Sequence, residues 1–552
     1  MGCNLGIFAC FSRMFALRVR SRLRSLMRGY SWSERNDGFR AVRELKNTLA
    51  SVRVLGNNDG VNWFFGASAA SAELVVRQFV FDRYGGGVLN RALYRSWGDH
   101  KPIALAMPAT WQAHVAVSGW CVNRFASTIA WQYIVITRLV HGSVFALRLI
   151  ARLWRGDEAS TSKSCPTSHV VFESLSARNL PAGKAGQRSF DICSFYAQWS
   201  GRDKSIRAIC HNIPETQERL AGDLPVLYRA PVHELAVGWT NAARLAVWSI
   251  GAFAFSAIQC LFGRWEYALL LAEAVKARSV RLCDPDLLAQ EYLFHSSGTI
   301  YRPMWTYEAQ RRGAGVSLYF YSTYDQPKLA RGYESQHFEW GPANWPRYIV
   351  WDAYQESILK RDLGDDIQVA YSGAVYFSDS PQPVLPLPHR SIAVFDIQPH
   401  RPAAHFGMST LADCLAAHHD FYHRFLEDIA AAIQACGANM VLKSKRDIEG
   451  RGNKRYKRIV DTLAQRKDVK VIPSDVSAMR LVSGCRAGIS VPFTSTAIYL
   501  RDMGVPCIYY DPYGWMQLDD SGARGISIIQ GKSDLIKWLE RMFDADADLI
   551  EQ

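Results

Sequence analysis

From residue 390 to the end of the 552-residue chain, short apolar runs alternate with segments whose apolar positions recur every three or four residues. The runs Ser391–Phe395, Asn439–Leu442, Val469–Ile472, Ala487–Val491, Pro506–Tyr510 and Ile526–Ile529 are rich in Val, Ile and Tyr and predict strands. Between them, helical spacing runs from about Asp420 to Cys436, then over Tyr456–Gln465, Ser477–Val482, Ser495–Met503 and Lys532–Phe543. This alternation predicts βαβ units, a mostly parallel sheet and a Rossmann-like domain over 386–552.

A less regular version of the pattern occupies 161–385. Val170–Leu175, Arg207–Cys210, Leu235–Val237, Val280–Cys283, Val316–Tyr321, Tyr348–Trp351 and Gln368–Tyr371 predict strands, with amphipathic segments such as Trp305–Arg312 between them. Two composition shifts set the boundaries. Between Arg155 and Arg188 the chain turns to Ser, Thr, Gly, Lys and Pro, and residues 379–389 (DSPQPVLPLPH) hold four prolines in eleven residues, which suits an extended linker. The expected organisation is an α/β protein. A mostly helical, basic and apolar N-terminal region spans 1–160, a Rossmann-like domain 161–385 and a second one 386–552, the two domains facing a cleft. In open α/β sheets ligands bind outside the carboxyl ends of the strands, so chemistry is expected on the loops there.

The N-terminal region raises the question of a membrane. Residues 1–28 carry six arginines and no acid, with apolar residues near helical spacing. A basic amphipathic helix on anionic lipid and a solvated leader both fit. From Leu245 to Phe262 no charge interrupts 18 residues, the threshold length for a spanning helix. A buried helix of a large domain accounts for that stretch as well. The stretch Ile103–Trp154 is similar but is interrupted by Arg124, Arg138 and Arg148, whose side chains can snorkel from an interfacial helix. Peripheral contact with an anionic membrane is the expectation.

A formal net charge of +13 points to an anionic partner. Nucleic acid, anionic lipid and nucleotide phosphates share that sign, but no helix-turn-helix or zinc finger is readable, so a nucleic-acid partner is not expected. The 12 cysteines are scattered singly, without C-x-x-C or zinc-ligand spacing. Reduced thiols in a cytosolic protein, with no metal site, are the expectation.

Candidate chemistry concentrates at predicted strand ends. In Ser490-Val491-Pro492-Phe493-Thr494-Ser495-Thr496-Ala497, three hydroxyl residues stand at the start of a helix directly after a strand. Backbone N–H groups and the helix dipole accept phosphate there, although Ser and Thr also favour a plain N-cap. Lys443 and Arg446 end another strand and are suited to charge-assisted bonds with a nucleotide phosphate. They open a stretch, Lys443 to Lys470, of eleven Lys/Arg against four Asp/Glu, most of which reads as a solvated face. Asp396, Gln398, His400 and Arg401 follow the first strand of the last domain and face the same ligand region, while Asp511-Pro512-Tyr513-Gly514 borders the base or sugar. In the middle domain Glu308, Asp325 and Asp352 are the carboxylates available as a general base, a role that requires hydrogen-bond reach to the acceptor hydroxyl.

With these segments in view, the chain resembles the bacterial polysaccharide biosynthesis proteins named for a Pro-Phe-Thr-Ser motif. Pro492, Phe493, Thr494 and Ser495 match that motif letter for letter, and FDIQPHR, FLEDI, KSKR, RPMWTYEAQRRG, YIVWDAYQ and SGAVYFSD are similar to family segments. The similarity runs from about residue 165 to the C-terminus. It implies a GT-B-like architecture with the donor nucleotide in the last domain, and glycosyl transfer in surface-polysaccharide (capsule or O-antigen) assembly at the cytoplasmic face of the membrane. The implied substrates are a nucleotide-activated sugar and a glycan or lipid-linked acceptor. No cofactor or metal is implied, since basic residues and helix dipoles offset the leaving phosphate in related folds. A CDP-polyol-type phosphotransferase and a non-catalytic scaffold of glycan assembly are the competing expectations.

Overall fold

A computed structural model describes residues 32–55, 61–66, 69–99, 101–156, 166–181, 191–214, 219–295, 301–323, 342–375, 384–399, 419–445, 452–474, 476–482 and 484–550. Among the described residues the N-terminal region is mostly helical: α1 (Trp32–Ser51), α2 (Val61–Phe65), α3 (Ala69–Tyr84), α4 (Gly87–Asp99), α5 (Ala109–Val117) and α6 (Arg124–Arg155). The arginines inside α6 do not break it. Asn123 caps its start, accepting from the Ala126 N–H at 3.0 Å, and Gly156 ends it in the left-handed conformation at φ +60°. These helices share one core with the sheet that follows. Phe64 meets Tyr267 edge-on at 5.1 Å and Phe79 meets Tyr301 at 5.1 Å. Buried Gln78 donates to the Asn344 side chain at 2.8 Å and accepts from the Arg302 N–H at 3.1 Å.

The first sheet contains β1 (His169–Phe172), β2 (Ala208–His211), β3 (Arg219–Ala221), β4 (Leu224–Tyr228), β5 (Glu291–His295), β6 (Gly315–Tyr319), β7 (Arg347–Val350) and β8 (Val369–Tyr371). Its order is β3-β4-β2-β1-β5-β6-β7-β8, parallel throughout except for the β3–β4 hairpin at one edge. The connecting helices are α7 (Ile192–Gln198), α8 (Trp239–Leu261), α9 (Glu266–Leu269), α10 (Leu271–Leu282), α11 (Met304–Arg311) and α12 (Ala353–Leu363). Two predicted strands are absent. Val280–Cys283 is the last turn and C-cap of α10, because its apolar positions continue the buried face of that helix. Leu235–Val237 follows a 3-10 turn, Val232–Glu234, and forms no strand.

The second sheet contains β9 (Ser391–Phe395), β10 (Asn439–Lys443), β11 (Val469–Ile472), β12 (Ala487–Ser490), β13 (Cys507–Asp511) and β14 (Ser527–Gln530). Its helices are α13 (His419–Ala435), α14 (Lys454–Leu463), α15 (Met479–Val482), α16 (Ser495–Asp502) and α17 (Lys532–Ile550). Every pairing in the order β11-β10-β9-β12-β13-β14 is parallel. Strands β9 and β12 are buried along their whole length, as a sheet covered on both faces requires. In chain order this is the doubly wound 3-2-1-4-5-6 arrangement. With its two edge strands β3 and β8 set aside, the first sheet repeats it, as β4-β2-β1-β5-β6-β7. Each sheet therefore has one switch point where the winding reverses, between β1 and β5 in the first and between β9 and β12 in the second.

Candidate ligand site at the switch points

At the second switch point, Val491 donates its N–H to the Phe395 carbonyl at 3.0 Å, and the chain then turns sharply into α16. Phe493 makes that turn at φ +63°, a conformation costing a bulky residue about 1–2 kcal/mol. Its ring is buried and stacks on Tyr509, centroids 5.6 Å apart and planes within 13°. Thr494 occupies the N-cap position, yet its side chain does not cap the helix. Its hydroxyl turns back to the Val491 carbonyl at 3.0 Å and accepts from Thr496 Oγ1 at 3.3 Å, while its own carbonyl accepts from Tyr509 at 3.3 Å. Among the described residues the N–H groups of Ser495 and Thr496 have no protein acceptor. The open first turn, two hydroxyls beside it and the helix dipole are groups suited to accept an anion.

Asp396 stands one residue beyond β9 in the same crevice. Its carboxylate is buried, at 3% exposure, and among the described residues no other residue hydrogen-bonds either oxygen. Burial pushes its pKa up to about 7, against the opposing charges of Lys443 and Lys445. The hydroxyl of Ser490, which pairs with Phe395 across the ladder, is also buried without a partner. Buried polar groups without a protein partner at a switch point are candidates for ligand contact. Gln398 is half-buried in the adjoining loop. Lys443 is less free than the sequence implied: its ammonium donates to the carbonyls of Ser444 at 2.7 Å and Ser474 at 3.2 Å. Its position contributes positive charge without pointing freely at a ligand. On the neighbouring strand end, buried Asp511 accepts from the N–H groups of Tyr513 at 3.1 Å and Met516 at 2.8 Å. This holds the stacked rings of Tyr513 and Trp515, 4.5 Å apart, as a flat aromatic shelf.

The first switch point holds a carboxylate that the sequence pattern did not single out. Glu173 follows β1 directly; its N–H bonds the Leu293 carbonyl at 2.9 Å and its side chain accepts from Asn212 at 2.7 Å. Burial raises its pKa to about 7, against the Asn212 hydrogen bond and the Lys276 charge. His295, at the end of β5, has its imidazole pKa lowered by burial. Ser174, next in the chain, sits at φ +62°.

The three carboxylates named from sequence fare differently. Glu308 lies in α11, which leads into β6, so it sits toward the amino ends of the strands, where it pairs with Arg311 and, at 3.9 Å, with Arg281. It is an ion-pair partner away from both switch points. Asp352 caps α12, accepting from Gln355 N–H at 3.0 Å, and pairs with Arg524, whose side chain is nearly buried. Asp325 lies outside the described residues, as do His400, Arg401 and Arg446. The Asp352–Arg524 pair joins the two halves of the chain, and so does the hydroxyl of Thr323, which donates to the Phe493 carbonyl at 3.1 Å. A Cβ on Gly522 would meet the Tyr354 hydroxyl at 2.5 Å and the Phe493 ring at 3.0 Å. Loops at the carboxyl ends of β6 and β7 thus touch those that follow β12 and β13. Among the described residues no group of three or more His, Cys, Asp or Glu side chains is placed to hold a metal ion.

Two mostly parallel, doubly wound sheets, with an open first helical turn after β12 in the second, define a protein of the α/β class. Residues 255–539, just over half of the chain, match the family model of polysaccharide biosynthesis PFTS motif proteins, and the chain belongs to that family. The matched segment covers the second switch point and β5, while β1 and Glu173 precede it. No curated protein matches the chain. Among solved structures, Anabaena Alr3699/HepE in complex with UDP-glucose is similar at 10% identity with a TM-score of 0.35, over 69% of this chain and 90% of that one. That degree of likeness is too low to bear on fold or ligand.

Proposed function

We propose that the chain transfers a sugar from a nucleotide-activated donor to a glycan or lipid-linked acceptor in bacterial surface-polysaccharide biosynthesis, with the two α/β domains closing a GT-B-like cleft. The observation that carries the reading is the Pro492–Thr496 turn, which opens a helix N-terminus at the switch point of the second sheet. The N–H groups of Ser495 and Thr496 and their hydroxyls bind the donor's diphosphate, and the charge of Lys443 and the α16 dipole offset the negative charge that builds up on the leaving phosphate. Asp396 and Ser490 hydrogen-bond the polar part of the donor that reaches the crevice floor. Glu173 is the group that takes the acceptor proton: it stands at the first switch point, and burial raises its pKa to about 7.

The test is thermal unfolding against CMP, CDP, UDP, GDP and dTDP. A nucleotide at about 100 times its dissociation constant adds roughly 2.7 kcal/mol of apparent stability. Ser495 is the first residue of α16, a position that tolerates proline, so Ser495→Pro removes both a hydroxyl and an N–H donor while keeping the helix start. The expected result is a shift with one nucleotide class, reduced in Ser495→Ala and lost in Ser495→Pro. The absence of any shift in the wild type would sink the donor-site reading and favour a non-catalytic scaffold. A shift confined to CDP, with CDP-glycerol consumed, would favour polyol-phosphate transfer.

A further inference from the structure

Helices α6 and α8 pack against each other and on α10. Each buries one stripe: Trp131, Val135, Ala146 and Leu153 on α6, Leu245 and Ala252 on α8. The outward stripes are equally apolar. Ile129, Ile136, Val140 and Leu147 recur at helical spacing along α6, with Ile250 and Leu261 on α8, and Leu147, Ile250 and Leu261 are 68%, 71% and 86% exposed. Exposed large apolar side chains thus run along two packed helices of 32 and 23 residues, the kind of surface that marks an interaction face. Both helices are long and apolar enough to cross a membrane.

Their packing nevertheless fixes them along the protein. The buried stripe of α6 runs its whole length. A Cβ on Gly142 would lie 2.8 Å from that of Leu271, Arg152 pairs with Glu234 at 2.6 Å, and the Leu153 carbonyl accepts from the Gly238 N–H at 3.2 Å. A helix held this way can lie along a bilayer with its outer face immersed, but cannot thread it without carrying the sheet inside. Charge selects the lipid. Residues 101–156 contain six Lys/Arg and no Asp/Glu, and residues 235–265 contain two arginines and no acid. Exposed Tyr133, Trp154 and Trp239 add aromatic rings of the kind that settle at the headgroup level.

We infer that the outward face of α6 and α8 docks on the surface of an anionic bilayer, with its apolar stripes at the headgroup–acyl boundary and its arginines among the headgroups. Phe145 of α6 lies 5.7 Å from the His233 ring and 5.5 Å from the Lys276 ammonium, whose charge acts on Glu173. Helix α6 is therefore linked through Lys276 to the first switch point. On the transfer reading above, on which this last step rests, the acceptor is lipid-borne.

The experiment is flotation of the full chain with vesicles of phosphatidylglycerol and phosphatidylcholine in equal parts, against phosphatidylcholine alone. The wild type is expected to float with the anionic vesicles, less so at raised salt, and to be released by alkaline carbonate. Leu147→Asp on α6 and Ile250→Asp on α8 each weaken binding by about tenfold or more. Because both side chains face outward, the thermal midpoint without lipid stays unchanged, which separates lost docking from lost folding. Failure of the wild type to float, retention through carbonate, or a solution dimer dispersed by the same substitutions would each overturn the proposal. The nucleotide-induced shift, read on the same samples without lipid, reports separately on the donor site.

Discussion

Glu173→Gln is expected to lower the rate of transfer by about 10²–10⁴-fold, the usual contribution of a positioned general base, while leaving the nucleotide-induced thermal shift intact. The amide keeps the size of the side chain and a carbonyl oxygen for Asn212, so binding and folding are conserved and only the proton acceptor is lost. The pH profile carries the sharper signature. Burial raises the Glu173 pKa to about 7, so the protonated, inactive form persists well above the ordinary carboxylate range. The wild-type rate should rise through that pH and level off above it, and the residual rate of the variant should lack the inflection. An unchanged turnover number in Glu173→Gln would remove the residue from the mechanism and return attention to Asp325 and Asp352.

The second large effect is on stability. In the unfolded chain Asp396 ionises near pH 4, but in the fold its pKa is held at about 7. The native state thus binds the proton more tightly, so stability is highest below the unfolded pKa and declines as pH rises toward 7. Above that pH the full penalty applies, on the order of 4 kcal/mol. Asp396→Asn removes the buried charge at the cost of an unpaired amide, leaving a net gain of about 1–3 kcal/mol at pH 8 and little or none at pH 4. Urea unfolding at the two pH values measures the difference. An equal effect at both would mean that the carboxylate is already solvated or paired. A variant that is more stable yet binds the donor more weakly is the expected pattern for a site residue kept at the expense of stability.

The second sheet was legible because its sequence signals are local. Ser391–Phe395 and Val469–Ile472 are strands with the bounds their apolar runs predict, and the Thr-Ser-Thr run after a proline marked the right strand-to-helix turn. The first sheet was harder. Val280–Cys283 is a short, mostly apolar run, but it completes a helical stripe begun at Leu271, and such a run alone cannot distinguish the two. Glu291–His295 starts and ends on polar residues and was passed over, which hid the strand that makes the first switch point. Glu173 was invisible for a related reason. A single acid after a strand has no pattern of its own, and what makes it chemically distinctive comes from Asn212, 39 residues away, and from Lys276 in another element. Its nearest signal was the run VVFESL itself, once strand ends are treated as ligand positions. Asp352 shows the converse: an acid readable at a strand end whose helix-capping bond and pairing with Arg524 only the fold reveals.

The left-handed turn at Phe493 has a consequence for cooperativity. Its carbonyl is the acceptor for Thr323, from the other half of the chain, and its peptide leads directly into the hydroxyls and N–H groups of the anion loop. One peptide unit therefore belongs to both the ligand loop and the contact between the sheets. If donor binding strengthens that contact by some factor, closing the contact strengthens donor binding by the same factor, because the two equilibria form one thermodynamic cycle. Removing the Thr323 hydroxyl would weaken that coupling equally in both directions without touching a single group that faces the donor.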